Sequence, residues 1–272
     1  MELPCITSRC SALCITSNHS VAWIYCETAG SILIAQCMHY RKGKIMATPT
    51  VTALVPIKGA SERVPGKNLR SFCGQPLLCK VLEMMQQCLC VEKIIVNTDS
   101  DIVANLSSQW SKVVIHERPA ALCGHHIPMN SIIAHDIGLL GDGHYLQTHV
   151  TNPLLRKETV VDAVSRYFGS LTNHDSLFSV REMQTRFWRA DGTPMNHDPS
   201  RLMNTQDLEP IYEENSCVYI FSSRSFQQAG NNRIGQHPLL FPIAQSESFD
   251  IDTEDDFHIA ELAWKAFRES AA

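Results

Sequence analysis

From Val51 onward the apolar positions fall into short continuous runs separated by segments with helical spacing. VTALVP (51–56), KIIVNTD (93–99), KVVIHE (112–117), HYLQT (144–148), SLFSV (176–180), CVYIF (217–221) and PLLFPI (238–243) are rich in Val, Ile, Leu, Phe and Tyr, and turn residues separate them, so they read as strands. Behind Pro76, a good first residue for a helix, Leu78, Val81, Leu82 and Met85 share one helical face. Similar spacing predicts helices from Asp101, over 129–140 and over 158–168. A last helix over 253–267 has Ile259, Leu262, Ala263, Ala266 and Phe267 as its apolar stripe. Continuous apolar strands alternating with helices predict an α/β fold, a mostly parallel sheet with helices on both faces.

Two stretches break this order. Residues 184–212 lose the alternation, and WRADGTPMNH (188–197) centres on Asp191-Gly192, which predicts an inserted hairpin element. Residues 1–47 show little sustained periodicity and contain Cys5, Cys10, Cys14, Cys26 and Cys37. Glu2 stands where a secretory signal carries positive charge, and Ser, Asn and His interrupt the apolar stretches, so no signal peptide is read. The segment is a translated upstream region with the functional start at Met46, an organelle-targeting extension, or a small structural arm. The first reading is preferred because regular patterning begins just after Met46. The expected division is an extension over 1–47, disordered or not native, and one functional domain over 48–272.

Composition narrows the partners. The chain has 272 residues, 44% hydrophobic, with a net charge of −5. That is enough apolar content for a sizeable core, and no global basic field exists to attract nucleic acid or an anionic membrane. No apolar stretch reaches membrane-spanning length. The expectation is a cytoplasmic protein with no nucleic-acid or membrane partner, organelle targeting by residues 1–45 staying open. The 11 cysteines include no CxxC pair, so they read as buried or inert thiols in a reducing compartment rather than as disulfides or a zinc site. An anionic ligand would need local cations, and residues 58–67 supply them. Strand, then a loop with Lys58, Gly59, Ala60, Ser61, Arg63 and Lys67, then a helix is an order that builds a phosphate nest from backbone N–H groups. It is neither a Walker loop nor a dinucleotide fingerprint.

Carboxylates occur at two remote places, Asp99 at the end of one strand and Asp250 with Asp252 just before the last helix. At the carboxyl edge of a parallel sheet such groups converge, and one or two of them with phosphate oxygens suffice for Mg²⁺. The bland alternatives are that Asp252 or Thr253 caps the last helix and that Asp99 begins a turn.

ALVPIKGASERVPGKNLR (53–70) resembles the opening signature of the acylneuraminate and KDO cytidylyltransferases: an apolar strand, a loop containing Ser, then Pro-x-Lys-Asn. The strand ending in Asp99, and Asp250-Ile251-Asp252-Thr253, resemble two further signatures of that family. The resemblance implies a Rossmann-like nucleotidyltransferase domain that moves CMP from CTP to an acidic sugar. It further implies nucleotide contacts from Lys58, Gly59, Ala60, Ser61, Arg63 and Asn68, and a catalytic lysine at Lys67. Magnesium would be held by Asp99 and Asp252. The base that takes the hydroxyl proton is expected to be Asp250 or a metal-bound hydroxide. ERPAALCG (117–124) is similar to the segment beside the nucleotide and adds Arg118. LQTHVTNPLLR (146–156) and ENSCVYIF (214–221) are similar to the acceptor segments and add Gln147 and Asn215, while His149 is expected to be structural. The sugar carboxylate needs a guanidinium, expected from Arg181, Arg186, Arg189 or Arg201. Departures occur at Glu62, His125 and Thr205. The family implies a homodimer, with residues 184–212 reaching toward the partner. The alternatives are a nucleotidyltransferase acting on a sugar 1-phosphate with another NTP, and a nucleotide-binding relative that has lost catalysis.

Overall fold

The computed structural model describes residues 21–28, 31–41, 44–47, 49–59, 61, 63–124, 126–201 and 203–269. The chain divides into two compact units, Met1–Thr50 and Val51–Ala272. In the first, β1 (Val21–Thr28), β2 (Ser31–Arg41) and β3 (Lys44–Ala47) form an antiparallel meander in that order. Residues 1–20, on which part of the extension reading falls, lie outside the described residues.

The second unit opens with β4 (Val51–Pro56) and a two-stranded ribbon, β5 (Ser71–Phe72) with β6 (Gln75–Pro76). Next come α1 (Leu77–Gln87), β7 (Val91–Thr98), α2 (Asp101–Ser107), β8 (Val113–Glu117), α3 (Met129–Leu140) and β9 (His144–Gln147). The remainder is α4 (Lys157–Ser170), β10 (Ser176–Met183), β11 (Ile211–Ser222), α5 (Ser223–Gln228), β12 (Pro238–Pro242) and α6 (Glu254–Glu269). Seven strands form one sheet in the order β12-β10-β11-β9-β4-β7-β8. All run parallel except β11, which is antiparallel to both neighbours. The mostly parallel sheet read from the sequence is therefore present.

Strand alternation sorts the core into two layers. Ala53, Val55, Ile94, Val96, Leu146, Val218 and Ile220 face a cluster completed by Leu78, Val81 and Leu82 of α1, Val103 of α2 and Val160, Val164 and Tyr167 of α4. Their neighbours Leu54, Ile95, Tyr145, Tyr219 and Phe221 face the other way, against Ile133 and Ile137 of α3 and Phe226 of α5. Because both faces are covered, the strands are apolar throughout, which is why they read as unbroken runs. A third cluster joins Val64, Phe72, Leu77 and Ile251 to Phe257 and Ala260 of α6. It packs the last helix beside the loop that follows β4. Truncating a fully buried aromatic such as Phe72 would cost about 3–5 kcal/mol.

Residues 184–210 span the gap between β10 and β11 without a long element. A bridge between Trp188 and Pro194 closes a turn in which Gly192 has φ 82° and Asp191 accepts from the Thr193 amide at 2.9 Å. The hairpin expected there is present.

Candidate active site

Parallel strands deliver their carboxyl ends to one edge of the sheet, and the site lies there. After β4 the chain crosses directly over the end of β7: the Gly59 amide donates to Asp99 Oδ1 at 2.8 Å. A Cβ on Gly59 would sit 2.7 Å from Ser100 Cβ, so only glycine allows this approach. Ser100 caps α2 by accepting from the Val103 amide. Further on, Gly66 takes φ 64° and the turn is closed by Leu69 and Arg70 amides donating to the Gly66 carbonyl, both at 2.9 Å. Asn68 Nδ2 holds the Lys58 carbonyl at 2.9 Å, so the two ends of the loop are tied together.

This turn aims Lys67 inward. Its ammonium group donates to the Ile251 carbonyl and lies 3.8 Å from Asp252 Oδ1. Lys67 is buried. Burial lowers its pKa, against the opposing pull of Asp252 and Asp250. Arg63 is exposed and pairs with Asp252 Oδ1 at 2.8 Å. An exposed pair of this kind contributes about 0–1 kcal/mol to stability, so its interest is chemical. Burial pushes the Asp250 carboxyl up from the ordinary value; Asp252 adds to the rise, while Thr151, Lys67 and Arg63 oppose it.

The start of α6 settles which residue caps it. Thr253 Oγ1 accepts from the Asp256 amide at 3.2 Å, and Asp256 Oδ2 accepts from the Thr253 amide at 2.8 Å, a reciprocal capping box. Asp252 is thus left to the cations, and the reading of it as a cap is set aside.

Arg118 follows β8 and is buried. Its Nε donates to Asn97 Oδ1 at 2.7 Å and its Nη2 to the Asn97 carbonyl at 2.8 Å. Asn97 Nδ2 in turn donates to Asp136 Oδ1 of α3 at 2.7 Å, and His116 Nδ1 lies 2.8 Å from the same oxygen. Neither Asn97 nor Asp136 was singled out from the sequence. Each is a polar residue inside an apolar run, which was the available signal.

Lys58, Ser61, Arg63, Lys67, Asn68 and Arg118 line one cavity of about 230 Å³, with His149 and Thr151 on its far wall. The carboxylates are tied to this loop from outside the cavity lining: Asp99 accepts from the Gly59 amide, and Asp252 pairs with Arg63 and lies near Lys67. Ala60, Glu62 and His125 lie outside the described residues.

On the acceptor side, Gln147 is fully buried at the end of β9, and its register partner on β11 is Tyr219. Gln147 Nε2 lies 2.9 Å from His149 Nε2 and 3.2 Å from the Thr148 carbonyl. His149 is held neutral: burial, and then the charges of Arg233 and Lys67, bring its pKa down to about 3. Asn215 Oδ1 accepts from Ser179 Oγ at 2.6 Å and from the Cys217 amide at 3.2 Å, whereas its Nδ2 is buried with no partner. Arg181 pairs with Glu213 at 2.7 Å, and Arg186 and Arg189 donate to carbonyls of their own segment. The guanidinium that meets Gln147 is instead Arg233, which the sequence reading missed.

A metal would find hard oxygen donors here. Among the described residues no three Asp, Glu, His or Cys groups converge on a point. Magnesium commonly uses one or two protein carboxylates and takes its other ligands from phosphate and water. Desolvation is the main cause of the raised Asp250 pKa and the nearby Asp252 adds to it, and a divalent cation between carboxylates would oppose both. The donor set fits.

The family described as Cytidylyltransferase matches residues 52–263. The chain belongs to that family. It is a nucleotidyltransferase by membership. A pseudaminic acid cytidylyltransferase of Campylobacter jejuni is 21% identical over 229 residues, covering 80% of this chain and 97% of the relative. A CMP-N,N'-diacetyllegionaminic acid synthase of Legionella pneumophila is 27% identical over 238 residues, covering 81% and 98%. Among solved structures, a CMP:2-keto-3-deoxy-manno-octonic acid synthetase complexed with CTP has a TM-score of 0.59 at 12% identity, covering 80% of this chain and 99% of that one. A 4-diphosphocytidyl-2C-methyl-D-erythritol synthase has a TM-score of 0.57 at 13% identity. The two structural likenesses speak for a Rossmann-like nucleotidyltransferase fold. The sequence relatives carry the family.

Proposed function

We propose that this cytidylyltransferase transfers CMP from CTP to the anomeric hydroxyl of an acidic, sialic-acid-like sugar and releases pyrophosphate. The observation that carries this reading is one cavity lined by Lys58, Arg63, Lys67 and Arg118, two of which also reach Asp252, with His149 on its wall beside the buried Gln147. The relatives named for pseudaminic and legionaminic acids support the acceptor class.

Nucleotidyl transfer needs positioning and charge neutralisation rather than a covalent enzyme intermediate. Lys58, Ser61, Arg63 and Asn68, which line the cavity, would cradle the phosphates. Arg118, fixed by Asn97, would bind along the nucleotide. Lys67 would hold the departing pyrophosphate. Its burial strengthens that interaction by excluding water. Asp250, exposed at the surface yet with its carboxyl pushed up chiefly by desolvation, would accept the proton of the attacking hydroxyl. Gln147 and Asn215 would orient the sugar. Magnesium, held by Asp99 and Asp252, would supply further neutralisation of phosphate charge when bound.

We read the protein as cytoplasmic. No helix of the described residues is long and apolar enough to cross a membrane. We also read it as a homodimer. The segment between β10 and β11 exposes Trp188, Met195 and Met203 with Tyr212, side chains suited to a partner surface. Sedimentation of the whole chain tests the second point, and a monomer at micromolar concentration would reject it.

The activity is tested by pyrophosphate release from each NTP with sialic, KDO, legionaminic and pseudaminic acids, and with sugar 1-phosphates. CTP with one of the acids should give turnover. Release confined to another NTP and a sugar phosphate would overturn the reading.

A further inference from the structure

Arg233 lies between α5 and β12, and its guanidinium is largely withdrawn from water, with 15% of the side chain exposed. It sits over Tyr219, its central carbon 3.6 Å from the ring centroid. One terminal nitrogen donates to Gln147 Oε1. The other is 4.0 Å from Glu214 Oε1, beyond hydrogen-bond distance, and Glu214 itself accepts from the Tyr219 hydroxyl. A guanidinium taken this far out of water normally faces a carboxylate squarely, because an uncompensated interior charge is costly. Here its neighbours are an amide, an aromatic ring and a carboxylate held at a distance. Burial accordingly pulls its pKa below the ordinary value.

Its position relative to the reaction centre is set by a short chain of contacts. Gln147, which it touches, lies 2.9 Å from His149, and His149 lines the cavity that Lys67 enters. His149 is neutral, so it does not compete for an anion. On β11, four residues before Tyr219, Asn215 has a buried Nδ2 with no partner. The other arginines on this side are engaged: Arg181 with Glu213 at 2.7 Å, and Arg156 with the buried Glu247 at 2.8 Å.

We propose that Arg233, presented by Gln147 and the Tyr219 ring, is the residue that receives the anionic group of the acceptor and so sets acceptor specificity. This rests on the acid-sugar reading above and deepens it. A planar fork pairs with a carboxylate or with a phosphate. The acidic sugar's carboxylate is the expected occupant; a sugar phosphate would use the same chemistry.

The test uses the full chain, Arg233→Lys and Arg233→Met, at saturating CTP. Acceptors are the acid sugar that the native protein turns over best, the C1 amide of that sugar, and a sugar 1-phosphate. In Arg233→Met the acceptor KM should rise roughly a hundredfold, the scale expected when a charged recognition contact is lost. The KM for CTP should stay unchanged. The native preference for acid over amide should collapse toward unity, and lysine should recover part of it. A variant that keeps the native acid-to-amide ratio, or that loses CTP and acceptor affinity alike, overturns the proposal. If Arg233→Met does not fold, Arg233→Lys and the native acid-to-amide ratio decide, and a native ratio of one overturns it. Turnover of the sugar phosphate alone, lost in Arg233→Met, would keep Arg233 as an anion receptor and reject the acid sugar. A native protein inactive with every acceptor rejects the activity itself.

Discussion

The two regions proposed to hold the nucleotide and the acceptor are built differently. The first comes largely from one contiguous loop, residues 58–68, braced by two strand ends through Gly59–Asp99 and Lys67–Ile251. The second is assembled from three remote elements, with Gln147 from β9, Asn215 and Tyr219 from β11 and Arg233 from the loop before β12. A loop that carries its own cations keeps its chemistry wherever the strand before it goes. A pocket assembled from distant strands changes its preference with one side chain. On the proposed reading, donor recognition rests on residues that are neighbours in the chain, and acceptor recognition on residues that only the folded sheet brings together.

The largest expected effect tests the first half. Lys67→Ala should lower kcat with CTP by about a hundredfold to a thousandfold, as loss of a preorganised charge at a developing anion does. Measured by pyrophosphate release, a near-native rate would remove Lys67 from the chemistry. Asp252→Asn should come next, with turnover falling by roughly tenfold to a hundredfold while the melting temperature holds, since Thr253 and Asp256 cap α6 without it. A large drop in melting temperature would return Asp252 to a structural role. Gly59→Ala should raise the KM for CTP by about tenfold, equivalent to about 1.4 kcal/mol, and leave acceptor KM alone. Equal changes in both would break the division into halves.

Stability against pH probes the second half. The folded His149 pKa is depressed to about 3 from 6.5. Below pH 6.5 the unfolded chain binds this proton and the folded chain does not, so stability falls as pH drops, by about 1.4 kcal/mol per unit at most, and levels off near the folded value. Urea melts at pH 6.5 and 4.5 should show this slope, reduced in His149→Gln; an equal slope in both would mean that His149 is not buried neutral. Smallest of all, a chain beginning at Met46 should turn over as the full chain does. Loss of activity would give residues 1–45 a part in the enzyme.

The same contrast governs what the sequence disclosed. The sheet was legible because strands buried on both faces carry unbroken apolar runs, and the phosphate loop because its cations are neighbours in the chain. α5 was not, since six mostly polar residues, SRSFQQ, show no helical period. Arg233 stands in NNRIG, a turn-like segment whose one charge gives no sign of the ring and amide it meets across the sheet. The four arginines expected for that task sit where irregular sequence suggested a site. The proposed receptor, Arg233, lies outside that stretch.

The grip of Lys67 on the Ile251 carbonyl ties two stretches 184 residues apart. It follows that α6, although it offers no atom to the cavity walls, anchors the carbonyl that Lys67 holds, because Ile251 packs in one cluster with Phe257 and Ala260. Loosening the helix from the Phe72 and Leu77 cluster would free the carbonyl, and the ammonium would swing away with it. Damage at the tail of the domain would then read out as weakened CTP binding.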